Sequence, residues 1–401
     1  MAATGDWITP TLWGKPWFEK PPLLYWLIAA GNSIGLPAEL AARLPVALLG
    51  LGFLFLMPTL DSALVLGTSI GWLAISQVAV TDIPLSVCFN AWLLFMLRGR
   101  PWIAGVALGF AVLAKGLLPL ALCLPLAYLY RREWRHWVSM LIVAAPWYLA
   151  CYMRNGQIFI DEFIIKHHLQ RFLSDELQHV QPFWFYLPVL LGLMMPWAPA
   201  LTNLRFEKPY ALTLIWGFVF LSVAKNKLPT YLLPLLPSAA ILISSNLKRW
   251  HFAFAPALLI LFPVAAPWLP DAIAKGLSRA DLASSNFYWI AAVPVAAWIG
   301  FRYQRVALAA TLAVSICVLK WQLYPQLAST VSAKGTWEEK HPRCVPEGAS
   351  RGFRYGLFYY AGQELDDCSK PQEDVTPLES PYEGPDNHKI GDRQPSGIPK
   401  R

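Results

Sequence analysis

Long apolar stretches, separated by short polar or proline-containing turns, run along most of the chain. Divided by the length needed to cross a bilayer core, the pattern predicts about twelve membrane spans. We place them at 40–60, 62–81, 82–97, 102–115, 116–130, 136–152, 183–201, 209–224, 229–246, 252–268, 286–301 and 305–323. Pro and Gly inside these stretches are compatible with spans, because neighbouring helices can satisfy the freed backbone groups. The prediction is an all-α multi-pass membrane protein.

Composition supports this class. Of the 401 residues, 56% are hydrophobic and 14% are charged, whereas soluble domains are about 25% charged. The 19 Trp, 15 Tyr and 21 Phe residues fit aromatic belts at two membrane interfaces. The net charge of +8 is therefore interpreted as loop charge that orients the helices, and not as a nucleic-acid-binding surface.

Lys and Arg are concentrated in alternate loops, which predicts that those loops are cytoplasmic. They contain Arg98 and Arg100; Arg131, Arg132 and Arg135; Arg205 and Lys208; Lys248 and Arg249; and Arg302 and Arg305. The transmembrane domain is thus residues 40–323, and the predicted periplasmic parts are residues 1–39, the loop 153–182 and the tail 324–401. Residues 23–36 contain Gly31 and precede Pro37, so we predict an interfacial helix there and not a span.

Three charged runs stand at predicted periplasmic ends of spans. They are Phe18-Glu19-Lys20-Pro21-Pro22, Thr81-Asp82-Ile83-Pro84 and Lys225-Asn226-Lys227-Leu228-Pro229-Thr230-Tyr231. Because an unpaired charge in hydrocarbon is costly, charges that recur at one membrane face indicate a functional site. A carboxylate among several cations suits chemistry on a phosphate-bearing lipid.

Asp82 is the residue to which we assign a catalytic role, since acids within membrane segments mark sites. The alternative is a helix cap, because Asp is a favoured N-cap and Pro84 would lie in the first turn. Lys115 lies between two spans at the same face, where it either binds a lipid phosphate or anchors the turn.

The turn that contains Lys225 and Lys227 carries two like charges, which repel unless an anion lies nearby. We therefore interpret both lysines as ligands of the donor phosphate, with Tyr231 donating a hydrogen bond to it. The alternative is a solvated turn followed by an aromatic-belt residue.

The tail from Tyr324 onward is more polar than the spans. The run from Arg351 to Tyr360 is predicted to be one strand of a small α/β or β segment. Cys344 and Cys368 flank it, and on the oxidising side of a membrane this arrangement predicts a disulfide, the alternative being two free thiols. From about residue 371 the composition is typical of disorder.

Several motifs together carry a resemblance to a known family. The Gly5-Asp6-Trp7-Ile8-Thr9-Pro10 run and the Phe18 to Trp26 run are followed by Ala42-Arg43-Leu44-Pro45, Thr81 to Leu85, Val112 to Gly116 and Lys225 to Pro234. In this order they resemble the bacterial family 39 glycosyltransferases, which include protein mannosyltransferases and the lipid A aminoarabinose transferase. The resemblance covers most of residues 5–240 and implies the GT-C membrane fold, with about twelve of roughly thirteen spans present.

The same resemblance implies an activity. A sugar would move from a polyprenyl (undecaprenyl-type) phosphate to a lipid, glycan or protein acceptor, on the periplasmic face of the bacterial inner membrane. Preorganised cations stabilise the phosphate as it leaves, and a carboxylate can orient the acceptor hydroxyl or take its proton. The resemblance implies that Lys20 and Arg171 touch that phosphate, although Lys20 could also be an ordinary interfacial anchor.

Histidines in the loop 153–182 raise the question of a metal. His167, His168 and His179 could hold a divalent ion, but adjacent histidines point in different directions on a helix, which favours plain surface histidines. We assign no metal ligand and no certain cofactor. The expected partners are the lipid-phosphate sugar, the acceptor and membrane lipids.

Two other classes stay open. A polytopic transporter usually contains internal repeats with paired broken helices, and we find no repeat. A catalytically inactive, truncated relative is the second alternative, because the family's first membrane helix and an acidic motif would precede Gly5. If this second alternative holds, we expect little or no transfer by the 401-residue chain.

Overall fold

The structure is a computed structural model that describes residues 1, 4–170, 181–269, 271–272 and 290–368. A two-residue hairpin opens the fold, with strand β1 (Thr11–Leu12) antiparallel to β2 (Lys15–Pro16). All longer elements of the described ranges are helices, which agrees with the predicted helical class.

The first half of the chain forms a series of helices. They are α1 (Leu23–Ser33), α2 (Ala38–Leu54), α3 (Leu60–Thr68), α4 (Ile70–Ile75), α5 (Asp82–Leu97), α6 (Pro101–Lys115), α7 (Leu118–Leu129), α8 (Arg135–Asn155) and α9 (Gln157–Phe159), followed by a π-helix at Ile160–Gln170. The predicted interfacial helix at residues 23–36 is α1. The described start of the predicted loop 153–182 is helical, because the chain continues from α8 through α9 into the π-helix.

The second half of the chain is also a series of helices. Its elements are α10 (Tyr186–Leu193), α11 (Lys208–Val223), α12 (Leu236–Ser244), α13 (Arg249–Leu259), α14 (Leu261–Ala265), α15 (Ala292–Tyr303), α16 (Arg305–Val318), α17 (Tyr324–Val331), α18 (Ala333–Lys340) and α19 (Arg351–Ala361). Short 3₁₀ segments lie at Phe183–Phe185, Ala198–Asn203 and Pro229–Leu235, and a second π-helix lies at Leu319–Leu323.

Two helices in the described ranges are long and apolar enough to cross a membrane, Arg135–Asn155 and the continuous helix Arg305–Ser329. Several other predicted spans are helices of 10–17 residues. The predicted span 62–81 is wrong as one helix: the backbone is extended at Ser69, between α3 and α4. The break is stabilised from outside, since Ile70 N–H donates to the Met195 carbonyl and the Trp197 indole donates to Thr68 Oγ1.

The chain divides into two compact units, residues 1–259 with 294–312 and residues 260–293 with 313–401. In the first unit, α6 packs closely on both α5 and α8. The contact with α8 depends on Gly105 and Gly109, a pair spaced four residues apart as in close membrane helix contacts. A Cβ atom at Gly105 would stand 2.1 Å from the His136 carbonyl oxygen, and one at Gly109 would stand 2.7 Å from Val143 Cβ.

Charged residues of the loops predicted to be cytoplasmic also meet in this unit. Arg305 makes a two-pronged ion pair with Asp61, with Nε and Nη2 at 2.6 and 2.7 Å from the two carboxylate oxygens. Arg98 donates to the Leu56 carbonyl at 2.7 Å. These two contacts connect two of the predicted cytoplasmic loops to the chain around the turn between α2 and α3.

The described part of the tail forms a small segment in the second unit. Residues 351–360 are not a strand, as predicted, but helix α19. The Ser350 hydroxyl caps this helix by accepting from Phe353 N–H, and Gly362 ends it in the left-handed conformation. Phe353, Leu357 and Phe358 are buried at helical spacing, so the run packs by one helix face.

A disulfide joins Cys344 to Cys368 on either side of α19. Next to it, Val345 pairs in parallel with Asp367 in an isolated bridge, in which Cys368 N–H donates to the Val345 carbonyl. The predicted pairing of these two cysteines is thus present, around a helix instead of a strand.

Candidate functional site

The hairpin of α5 and α6 brings Asp82 and Lys115 together. Asp82 is the first residue of α5 and Lys115 is the last of α6. Since the two helices run antiparallel and have 16 and 15 residues, these ends lie level. Lys115 Nζ lies 2.5 Å from Asp82 Oδ1, and both side chains are only 9% exposed. The acid is at a helix N-terminus and the cation at a helix C-terminus, so each also interacts favourably with its helix dipole.

The capping alternative for Asp82 is wrong. The N-cap of α5 is Thr81, whose side chain makes no capping hydrogen bond. The Asp82 carboxylate instead accepts from Lys115. The hydrogen bond that holds this buried acid therefore comes from a cation 33 residues away, across the α5–α6 hairpin.

Tyr231 completes this cluster. Lys115 Nζ stands over the Tyr231 ring, 4.2 Å from its centroid, which is a cation–π distance. Tyr231 lies on the 3₁₀ segment Pro229–Leu235, and α5 holds that segment through Asn90. The buried Asn90 amide donates to the Ser86 carbonyl of its own helix at 2.8 Å and to the Pro234 carbonyl at 2.9 Å. We call Asp82, Lys115 and Tyr231 the acid–lysine–tyrosine cluster.

The turn before Tyr231 is held by a different set of contacts. Lys227 is 4% exposed, and its Nζ donates to the Gln181 carbonyl at 2.9 Å. Burial lowers the pKa of the Lys227 ammonium. The Tyr186 hydroxyl donates to the Leu228 carbonyl at 3.3 Å, whereas the Lys225 side chain is exposed. Of the two predicted phosphate-binding lysines in this turn, Lys225 is therefore open to solvent and Lys227 is tied to backbone.

The first loop is fixed to the end of α8. Asp6 Oδ1 accepts from the Ile8 and Thr9 backbone N–H groups, and Asp6 also pairs with Arg154 at 3.2 Å. Burial acts to raise the pKa of Asp6, but the two backbone hydrogen bonds and the Arg154 charge outweigh it, so the pKa lies below its usual value. The Trp147 indole donates to the Ile8 carbonyl at 3.0 Å.

An aromatic group connects this loop to the end of α6. Phe18, which is buried, meets Phe159 edge-on at 5.3 Å, and Phe159 stacks on Phe163. The Tyr148 ring contacts the rings of both Phe159 and Phe163. Its hydroxyl donates to the Val112 carbonyl, one helical turn before Lys115. The Phe18-Glu19-Lys20 run thus lies on the same end of the fold as the acid–lysine–tyrosine cluster. Lys20 makes an ion pair with Glu19 at 3.6 Å.

The other predicted site residues belong to the loop 153–182. Arg171 and His179 lie outside the described residues, as do the side chains of His167 and His168. Within the described part of the chain, no group of three or more His, Cys, Asp or Glu side chains is arranged to hold a metal ion.

Three contributors to this site were not identified from sequence: Asn90, Tyr148 and the glycine pair on α6. The spacing of Gly105 and Gly109 was a readable signal of close helix contact. Asn90 and Tyr148 had no such signal, because a lone polar residue in an apolar run does not reveal its partner.

Comparison with known proteins bears on the family and the fold. No family model matches the chain. Its curated relatives are named undecaprenyl phosphate-alpha-4-amino-4-deoxy-L-arabinose arabinosyl transferases. The chain is 31% identical to transferase 2 of Pseudomonas fluorescens, over 62% of this chain and 50% of the relative. It is 30% identical to the enzyme of Pseudomonas paraeruginosa, over 64% and 55% respectively. The chain thus spans about half the length of the curated relatives it matches.

Two solved structures share the fold. They are ArnT from Cupriavidus metallidurans bound to undecaprenyl phosphate and the same protein in the apo state, with TM-scores of 0.63 and 0.62. Each match is 23% identical and covers 91% of this chain and 78% of that chain. The protein therefore has the multi-pass GT-C membrane fold. The motifs predicted a resemblance to a glycosyltransferase family that includes the aminoarabinose transferases, and this resemblance is confirmed.

Proposed function

We propose that the protein transfers a sugar from a polyprenyl phosphate donor to a lipid, glycan or protein acceptor. The observation that carries this proposal is the acid–lysine–tyrosine cluster: a buried carboxylate paired with an ammonium, and a half-buried phenol beside them, at one end of a GT-C fold. The names of the relatives make aminoarabinose the first sugar to test.

In the proposed reaction an acceptor hydroxyl attacks the anomeric carbon of the sugar. The bond from that carbon to the phosphate oxygen breaks, and the electron pair leaves with the phosphate. Asp82 accepts the hydrogen bond of the attacking hydroxyl and then its proton. Lys115 carries three N–H donors, so it can hold Asp82 in place while it offers another donor to the leaving phosphate.

The other cations supply the rest of the phosphate site. Lys20 and the exposed Lys225 belong to the two neighbouring charged runs and would bind the phosphate, and Arg171 belongs to the same proposed ligand set. Lys227 would have to exchange its bond to the Gln181 carbonyl for one to phosphate. The Tyr231 hydroxyl would donate a hydrogen bond to the phosphate while its ring faces Lys115. We place this site on the periplasmic face of the bacterial inner membrane, on the basis of the loop-charge pattern.

A transfer assay tests the proposal. The purified protein is placed in vesicles with radiolabelled undecaprenyl phosphate sugars, beginning with aminoarabinose, and lipid, glycan and peptide acceptors are scored for label. We expect transfer by the wild type and a loss of at least tenfold in Asp82→Asn and in Lys115→Met. Unchanged rates in both variants would remove the cluster from catalysis. Translocation of labelled donor without transfer would instead indicate a transporter.

Asp61→Asn is the matched control. Asp61 is also an acid in the first turn of a helix and also pairs with a cation, Arg305, but it lies at the predicted cytoplasmic end. Transfer should persist in this variant. A loss equal to that in Asp82→Asn would show that ion-pair removal harms the fold in general.

A further inference from the structure

Two exposed tryptophans meet where α6 and α8 begin. Trp102 is 46% exposed and Trp134 is 60% exposed. Their rings make an edge-to-face contact with centroids 6.0 Å apart, so the two aromatic surfaces form one feature. Trp134 directly precedes Arg135, the first residue of a 21-residue helix that is long and apolar enough to cross a membrane. The pair therefore lies at the depth where a bilayer's headgroups begin.

Arginines surround this pair. Arg100 directly precedes α6, and Arg131, Arg132 and Arg135 lie in or next to the turn before α8. Glu133 pairs with Arg135 at 2.6 Å. Among the residues that the structure describes, no other carboxylate pairs with these four arginines. Four arginines and one glutamate leave an excess of three positive charges. Guanidinium groups bind phosphate in a two-pronged geometry, so this excess favours a phosphate-bearing anion.

Apolar side chains continue from the tryptophans along the outer surface of the two helices. On α6 they are Ile103, Val106 and Phe110, and on α8 they are Leu141 and Ile142, all between 37% and 66% exposed. The close glycine contact between α6 and α8 holds the two apolar surfaces side by side. A ligand that fits the whole feature has an anionic phosphate at one end and hydrocarbon at the other.

We propose that this patch, defined by Trp102, Trp134, Arg100, Arg131 and Arg132, binds an anionic membrane phospholipid. The headgroup phosphate lies among the arginines and the acyl chains follow the apolar surfaces of α6 and α8. The patch is at the opposite end of α6 from Lys115, so this lipid is not the sugar donor. The proposal does not depend on the transfer reaction.

Lipid retention measured by native mass spectrometry tests it. The protein in neutral detergent is titrated with phosphatidylglycerol or with phosphatidylcholine, and bound lipid is counted. Arg131→Ala with Arg132→Ala should weaken phosphatidylglycerol binding roughly tenfold or more, since it removes two positive charges that attract the anionic headgroup. Trp102→Leu with Trp134→Leu should weaken it as well.

A matched control separates a built site from loop charge in general. Lys248→Ala with Arg249→Ala removes the same charge from another predicted cytoplasmic turn, which also has an exposed tryptophan, Trp250. This tryptophan stacks on His251 instead of on a second tryptophan. Phosphatidylglycerol binding should be unchanged there. Equal losses in the two double variants, or equal binding of phosphatidylcholine by the wild type, would overturn the proposal. Thermal unfolding without added lipid checks that each variant is folded.

Discussion

The helices α5, α6 and α8 and the tail segment 333–368 are held together by different interactions. In the helices, close contact depends on glycines that let backbones approach and on one buried ion pair. In the tail segment, a disulfide, two serine caps and an exposed Arg354–Asp367 ion pair surround a few buried side chains. The difference fits the predicted surroundings. Lipid provides no hydrophobic force between helices, whereas a small segment in water, as predicted for the tail, has too little core and needs covalent support.

The largest expected effect is in the glycine contact. Gly105→Leu would place Cβ 2.1 Å from the His136 carbonyl oxygen, so α8 has to move. We expect a cost above the roughly 1–3 kcal/mol of ordinary overpacking, and loss of the monodisperse peak in fluorescence-detected size exclusion. Gly52→Leu is the control, because a Cβ there has nothing within 4 Å. A well-folded Gly105→Leu protein would show that the close approach of the α6 and α8 backbones is not needed for the packing of these helices.

The buried ion pair comes second. Lys115→Met leaves the Asp82 carboxylate buried without its cation, which costs about 3–5 kcal/mol in comparable cases. Adding Asp82→Asn removes the stranded charge, so the double variant should regain most of its thermal stability while transfer stays absent. If stability and transfer return together, the pair is structural only. If stability does not return, Lys115 contributes mainly by packing.

The disulfide comes third. Cys344→Ser with Cys368→Ser releases a loop of 24-residue separation, for which the chain-entropy model gives about 3.5 kcal/mol. Hydrogen exchange should rise within residues 344–368 and stay unchanged in α5, α6 and α8. Exchange that rises in those helices as well would show that the two regions do not have separate sources of stability.

The smallest effect is expected at a helix cap. Ser350→Ala removes the hydroxyl that accepts from Phe353 N–H, at a cost of about 1 kcal/mol. Faster exchange should be confined to the first turn of α19. Thr202→Ala is the control, since its hydroxyl bonds only a nearby carbonyl, that of Pro199. A change of the same size in both would mean that capping contributes little here.

The helices bounded by charge and proline were predictable. The predicted spans 82–97 and 102–115 match α5 and α6 to within one residue, because Asp82, Arg98, Arg100 and Pro101 mark their ends. The span 62–81 was not predictable as two helices, since the bonds that stabilise its break come from Met195 and Trp197, far along the chain.

The tail helix was misread for a different reason. Aromatic residues in the run 351–360 favour a strand by propensity. The start and stop signals, Ser350 and Gly362, were nevertheless present and indicate a helix. In the candidate site, the sequence placed Asp82, Lys115 and Tyr231 at one face, with a catalytic role for Asp82 and phosphate binding for Lys115 and Tyr231, but it indicated no contact among them. Their mutual contacts arise only when α5, α6 and the Pro229–Leu235 segment are packed.

The Asp61–Arg305 pair has a consequence for the order in which the protein is made. The two residues are 244 positions apart, so at roughly 5–20 residues per second the ribosome needs on the order of 12–50 seconds between them. Throughout that interval α3 is already synthesised and its partner is not. Contacts among α5, α6 and α8 join residues much closer in sequence and can form first. The early helices therefore have to persist as a membrane-inserted intermediate in which Asp61 does not yet have its partner Arg305.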